Sequence, residues 1–461
     1  LVMHGPTLPV DDHIDSTPVV LGHFENATPL IFGAPTLLFN GEGDPPNATL
    51  DRSFRQTAVG RGRIHDDGDT DLFQFVPPVD MLGEYEGDNG NEGSALYVGG
   101  NFATAGSGTI DGTPGTAAEN VAIWDANRWW FAGGATEDAG AIDGHLYAMT
   151  TWDPDGAGSR WGNILVAGGE FEGFNGEMNA NLAFRIQVNG RWVWSPSLDP
   201  LDPTLPALQT DGPVFALSTF DLVTDTMSQE LIIGGQFTDL TGLAVNNVAA
   251  VGYDAGALFG DTLAGGVTGP GAVVRALTAF DPEQEEDPDG DMNPLPAPDD
   301  RPASLVVGGT FTTVAGVAGN VNNIAMFGRP DTDVMSANEW RAMGSSITNG
   351  GALGVTGGEV LALSTMVVPF VDSEGADQEA EVLVVGGSFT NRGGNFAIWE
   401  SSRFDGTEGT RWIDVGGAPG AVRALHVWFP PDAMGMTGDV PLMVIADDNA
   451  GPAGTTGLIQ L

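Results

Sequence analysis

The chain has 461 residues, with 62 Asp and Glu against 16 Lys and Arg, six His and no Cys, for a formal net charge of -46 at pH 7. A surface this negative excludes nucleic acid and anionic membrane as partners, because phosphate contact needs a basic face. Without cysteine, stability rests on a large core rather than on disulfides, which this length and 41% hydrophobic content can supply.

The charge also bears on environment. The basic side chains are all Arg and there is no Lys. Two settings fit: high or marine salt, where a Debye length of about 8 Å or less relieves self-repulsion, or a surface neutralised by divalent cations. Either points to an extracellular or cell-surface protein in a saline environment, or to a salty cytoplasm. No apolar run is long enough to span a bilayer. The first residues, Leu1-Val2-Met3-His4-Gly5, lack the charged and apolar regions of a signal peptide, so a secreted form would be one with its leader removed.

Residues 1–70 form an N-terminal segment of different character. It holds Asp11-Asp12-His13-Ile14-Asp15, Pro45-Pro46 and two glycosylation-acceptor patterns, Asn26-Ala27-Thr28 and Asn47-Ala48-Thr49, which carry no glycan in a bacterial protein. His4, Asp11, His13 and Asp15 read as a polar terminus before they read as a metal site. The run Asp66, Asp67, Gly68, Asp69, Thr70, Asp71 alternates oxygen ligands as calcium loops do, and equally suits a plain turn. Gly68–Phe75 resembles the Gly-Asp-x-Asp strand of β-sandwich domains appended to bacterial secreted peptidases. The alternative, favoured by the spacing to Leu96, makes Leu72–Val76 the inner strand of a first repeat unit.

From residue 95 the same phrase returns five times: an apolar strand, Gly-Gly, one variable residue, then Phe. The copies are Gly99-Gly100-Asn101-Phe102, Gly168-Gly169-Glu170-Phe171, Gly234-Gly235-Gln236-Phe237, Gly308-Gly309-Thr310-Phe311 and Gly386-Gly387-Ser388-Phe389, roughly 66–78 residues apart. Upstream of the last four lies a strand with a central Ala: Tyr147-Ala148-Met149, Phe215-Ala216-Leu217, Arg275-Ala276-Leu277 and Leu361-Ala362-Leu363, with a further copy at Arg423-Ala424-Leu425. Downstream comes Asn, an apolar residue and Ala, at Asn120, Asn181, Asn247, Asn323 and Asn395, followed after a polar turn by Trp129, Trp192, Phe259, Trp340 and Trp412. Each repeat therefore predicts four short strands. A sixth follows from Val422–Trp428, Leu442–Ala446 and Gly457–Leu461, with Ala446-Asp447 in place of Gly-Gly.

Thin four-stranded sheets must stack on one another, and radial stacking leaves only short protected edges. The expected fold is an all-β, six-bladed β-propeller of four-stranded blades over residues 71–461, with Ala on the crowded inner strand, the doublets where a neighbouring chain comes close, and Phe and Trp filling the wedges. The sixth blade lacks an outer strand. Leu30–Phe32 or Leu37–Phe39 would supply it; the alternatives are a polypeptide that continues past Leu461, or a strand donated by a neighbouring molecule.

The phrase Ala95–Phe102, followed by Asn120–Asp125 and Arg128-Trp129, resembles the repeats of secreted propellers from planctomycetes and related bacteria. More distantly it is similar to kelch repeats and to fungal cell-surface propellers. The resemblance covers about residues 71–461 and implies architecture, since a propeller hosts many functions.

Chemistry is sparse in the sequence. Asp287, Asp289, Asp291 and Asn293 alternate as calcium ligands do, but Gly290 and Pro298 depart from an EF-hand-type loop, and a solvated acidic insertion fits as well. Calcium is the one cofactor suggested. The six His, at 4, 13, 23, 65, 145 and 426, show no zincin pairing; His426 follows an inner-strand Ala-Leu pair and either faces a channel or packs. Zero Cys removes a copper-radical oxidase with a Cys–Tyr cross-link. Trp124, Trp129, Trp192, Trp340 and Trp399 recur at repeat positions and read as core. The expected function is a non-catalytic structural or adhesive surface subunit, associating with itself or with other surface components. The alternatives are a carbohydrate- or protein-binding module and, third, a channel-site hydrolase or lyase.

Overall fold

The computed structural model describes residues 2–3, 18–19 and 74–79 and, in separate stretches, residues 95–459; stretches such as 281–302 and 429–441 fall outside that description. Among the described residues every element is a strand, apart from one 3-10 turn at Leu263–Gly265. The described strands form six larger sheets in chain order, four of them four-stranded, the second five-stranded and the sixth three-stranded, with four two-stranded pairs beside them.

Sheet 1 comprises Gln74–Val79, Ala95–Gly99, Val121–Trp124 and Trp129–Phe131. Gln74–Val79 pairs antiparallel with Ala95–Gly99, so this stretch opens the first sheet, in keeping with its spacing to Leu96. Sheet 2 comprises Ile142–Trp152, Ile164–Phe174, the short Glu177–Met178, Leu182–Val188 and Arg191–Ser195, and sheet 3 comprises Val214–Phe220, Glu230–Gly235, Val248–Asp254 and Ala257–Asp261. Sheet 4 is Val273–Phe280, Ser304–Thr310, Ile324–Gly328 and Glu339–Ala342. Sheet 5 is Val360–Val371, Asp377–Gly387, Phe396–Glu400 and Arg411–Ile413. Sheet 6 is Val422–Trp428, Leu442–Asp447 and Gly457–Ile459. In the N-terminal segment, Val2–Met3 pairs with Pro18–Val19; the proposed closing strands at 30–32 and 37–39 lie outside the described residues.

The chain divides into two compact units, residues 1–245 with 249–260 and 450–456, and residues 246–248 with 261–449 and 457–461. In the first, sheets 2 and 3 share one core: Val166, Leu182 and Phe184 pack with Val214, Leu231 and Ile233. In the second, Val306 and Ile324 of sheet 4 share a core with Val360, Leu383 and Val385 of sheet 5, and the other face of sheet 5, through Val384 and Ile398, meets Val422, Met443 and Ile445 of sheet 6. A strand covered on both faces has no reason to alternate polar and apolar residues. Glu230–Gly235 is accordingly buried at every position.

Inner and second strands pair through a bulge at one fixed place. Val274 faces Gly309 and Ala276 faces Gly308, leaving Arg275 as the extra residue. Tyr147, Phe215, Leu361 and Arg423 are the extra residues of sheets 2, 3, 5 and 6. The bulge drives the inner strand towards its partner. A Cβ on the second glycine would overlap a backbone carbonyl oxygen: that of His145 at Gly169, of Pro213 at Gly235, of Val273 at Gly309 and of Glu359 at Gly387. The first glycine meets the next sheet instead; a Cβ would lie 2.6 Å from Val214 Cγ1 at Gly168 and 2.5 Å from Val360 Cγ1 at Gly308. Phe171, Phe237, Phe311 and Phe389 then bury their rings; Phe102 is outside the described residues.

The recurring Asn explains itself in the backbone. Asn120, Asn181, Asn247, Asn323 and Asn395 all have positive φ, from 63° to 76°, a region Asn enters more readily than other side-chain-bearing residues. There Asn181 Oδ1 accepts from the Phe171 N–H while Nδ2 donates to the Thr210 carbonyl. Asn323 accepts from Phe311 N–H and donates to the Val355 and Gly358 carbonyls. Each side chain thus ties a doublet loop to the segment that enters the following sheet.

Burial of the repeat aromatics holds at Trp340, Trp399 and Trp412, with Trp340 Nε1 donating to the Leu263 carbonyl at 2.6 Å. It fails at Phe259, which is 42% exposed. Its ring lies where a Cβ on Gly252 would stand, over the adjacent strand Val248–Asp254 of its own sheet. The side chains of Trp124, Trp129 and Trp192 are outside the description.

Candidate functional site

The bulge that shapes each sheet also sets out its chemistry. The extra residue falls outside the strand register, and Tyr147, Phe215, Arg275, Leu361 and Arg423 are all half-buried, whereas the Ala that follows the first four is buried. Beside each bulge, at the same end of the sheet, stands the variable residue of the Gly-Gly-x-Phe phrase.

In the first unit this end is aromatic and acidic. Tyr147 and Phe215, from neighbouring sheets, pack with ring centroids 5.0 Å apart and planes tilted by 41°. The Tyr147 hydroxyl donates to Glu170 Oε2 at 3.3 Å and lies 3.5 Å from His145 Nδ1. Glu170 is exposed. The site therefore offers two ring faces, a carboxylate and an imidazole.

In the second unit the corresponding end is charge-compensated. Arg275 Nε is 3.6 Å from Glu359 Oε2, both side chains about one-third exposed. Thr310, the variable residue of its phrase, donates its hydroxyl to the same oxygen at 3.0 Å, and the Glu359 N–H donates to Ser388 Oγ. An exposed pair of this kind contributes about 1 kcal/mol or less to stability, so its consequence is to occupy the carboxylate.

Two further carboxylates depart from ordinary behaviour. Burial pushes the Asp153 carboxyl above the usual range, and the charge of Asp155 adds to the effect. At Asp211 burial acts upward, but hydrogen bonds from the Thr238 hydroxyl and the Thr238 and Asp239 N–H groups outweigh it and hold the group below the usual range. These bonds pin the entry of the inner strand to the loop beyond its own doublet.

The acidic candidates Asp66, Asp67, Asp69, Asp71, Asp287, Asp289, Asp291 and Asn293 lie outside the described residues. Among the described residues no three His, Cys, Asp or Glu side chains gather as a metal site, and no helix is long and apolar enough to cross a membrane. His426 lies in the inner strand of sheet 6, opposite Val444. No protein-family model matches this sequence, and no curated protein matches it.

The sequence displays Tyr147, Phe215, Arg275, Leu361 and Arg423 only as neighbours of the recurring Ala. The available signal is their variation: they change from aromatic to cationic to aliphatic between constant flanks. Without the bulge nothing marks those residues as standing outside the strand register.

Proposed function

We propose that the chain is a six-bladed β-propeller, its sixth blade completed by a strand of the 1–70 segment, acting outside the cell or at its surface as a non-catalytic structural or adhesive subunit. One observation carries the adhesive part. The positions that build the sheets, the Gly pairs, Phe, Ala and Asn, are constant, while the bulged residue and its neighbour vary on one end of each sheet. A constant scaffold with variable residues at one end is the arrangement by which a repeat fold presents a binding surface. The sheet counts support the closure: the first five sheets have at least four strands each, and the sixth has three among the described residues. The net charge of -46 supports a saline environment, and calcium held by the acidic stretches at 66–71 and 287–293 belongs to this reading as the ion that offsets it.

Light scattering on size-exclusion fractions, with calcium and with a chelator, tests the proposal together with electron micrographs of the assembled material. Calcium-dependent rings, sheets or fibres support a structural subunit. A chain that stays monomeric under both conditions and binds on a glycan or protein array belongs to the second reading, a soluble binding module, which Tyr147 and Phe215 favour because paired aromatic rings at a surface are a common recognition element.

A further inference from the structure

We propose that the Tyr147, Phe215 and Glu170 cluster is a binding site for an alkylammonium group supplied by another molecule, the side chain of a partner's lysine or a free polyamine. The argument starts from the contrast in charge compensation. In the second unit the inner-strand bulge carries Arg275, whose guanidinium approaches the Glu359 carboxylate. In the first unit the bulge of sheet 2 carries Tyr147, and among the described residues the one hydrogen bond that Glu170 accepts is from the Tyr147 hydroxyl. The position that holds an arginine in sheet 4 holds a tyrosine here.

What surrounds Glu170 suits a cation. Rings attract positive charge through their quadrupole, and Tyr147 and Phe215 bring two half-buried rings together, centroids 5.0 Å apart, beside this carboxylate. The carboxylate supplies the charged hydrogen-bond acceptor that an ammonium seeks. His145 lies within 3.5 Å of the Tyr147 hydroxyl and closes the polar side of the cluster. The field of a chain at -46 raises the local concentration of cations at every acidic site, and the rings distinguish this one. The chain contains no lysine, so a second copy of it cannot supply a lysine ammonium, and the occupant is a different molecule.

The site rests on the ligand-binding end proposed above, but it fails separately, because titration of the purified chain requires neither assembly nor a surface. The full chain is titrated by calorimetry with butylammonium chloride, a lysine-containing peptide and spermidine. Glu170→Gln is expected to weaken butylammonium at least about tenfold, and Phe215→Ala several-fold. Glu172→Gln is the control: Glu172 is exposed in the same strand and is expected to change affinity by less than about twofold. Phe215→Leu keeps the apolar volume and is expected to lose binding as Phe215→Ala does. A tighter lysine peptide assigns the site to a protein partner, and tighter spermidine assigns it to a free polyamine; either supports the site. Equal losses from Glu170→Gln and Glu172→Gln, or unchanged binding in both Phe215 variants, would mean diffuse attraction to an acidic surface and would overturn it.

Discussion

In the first unit the bulged residues of sheets 2 and 3 are Tyr147 and Phe215, and the carboxylate beside them, Glu170, has a tyrosine hydroxyl for company. In the second, sheets 4 and 6 place Arg275 and Arg423 at the same register, and Arg275 reaches Glu359. The backbone device is identical in both: one extra inner-strand residue opposite a residue pair, which is Gly-Gly in sheets 2 to 5. The difference teaches that architecture and chemistry occupy separate positions in this chain. The bulged side chain differs between the sheets, and so does the placement of the carboxylate near it: Glu170 follows a Gly-Gly pair, whereas Glu359 precedes the first strand of sheet 5.

The largest expected effect tests whether the scaffold is truly common to both. Gly169→Ala and Gly309→Ala each drive a methyl into an inner-strand carbonyl and should each cost about 3 kcal/mol. Denaturant unfolding that gives markedly unequal costs would break the comparison. Next come Asn181→Ala and Asn323→Ala. Each forces Ala into a left-handed conformation and strands the N–H of the repeat Phe, for about 2–4 kcal/mol. The Gly substitutions at both sites should be milder by roughly 1 kcal/mol, since they keep the conformation and lose only the bonds.

An exchange of bulge residues sharpens the contrast in chemistry. Tyr147→Arg should bring a guanidinium to Glu170 and reduce butylammonium binding at least about tenfold, whereas Arg275→Ala should leave binding at the Tyr147 site unchanged and cost about 1 kcal/mol of stability or less. Calorimetry and unfolding read the two effects separately.

The smallest effect is a pH dependence. The Asp211 carboxyl titrates lower in the folded chain than in the unfolded one, so its contribution is fully present above the unfolded value and fades as the pH falls from about 4 through the folded one. Because Asp211 is exposed, Asp211→Asn should cost under about 1 kcal/mol at neutral pH, and the difference from the parent chain should vanish in acid.

The four-strand repeat was legible because its parts are constrained by sterics that permit few residues. Only Gly fits against the carbonyls of His145 and Val273, and Asn is the residue best suited to both a positive φ and a clamp through its amide. A strand opening the first sheet was legible from the spacing to Leu96, expected at Leu72–Val76 and observed at Gln74–Val79. The bulge was not, because an inserted residue leaves no compositional trace: the Ala expected to fill a crowded axis is a buried residue beside the insertion, and Tyr147 or Arg275 looks like an ordinary strand residue. Phe259 departs from expectation because an outer-strand aromatic looks the same in sequence whether it enters a wedge or lies over Gly252.

A residue set outside the strand register is one that selection can rewrite cheaply. Exchanging Tyr147, Phe215, Arg275, Leu361 or Arg423 leaves every strand in step, so a lineage carrying this chain can change the surface at that end of each sheet one substitution at a time while the protein keeps folding.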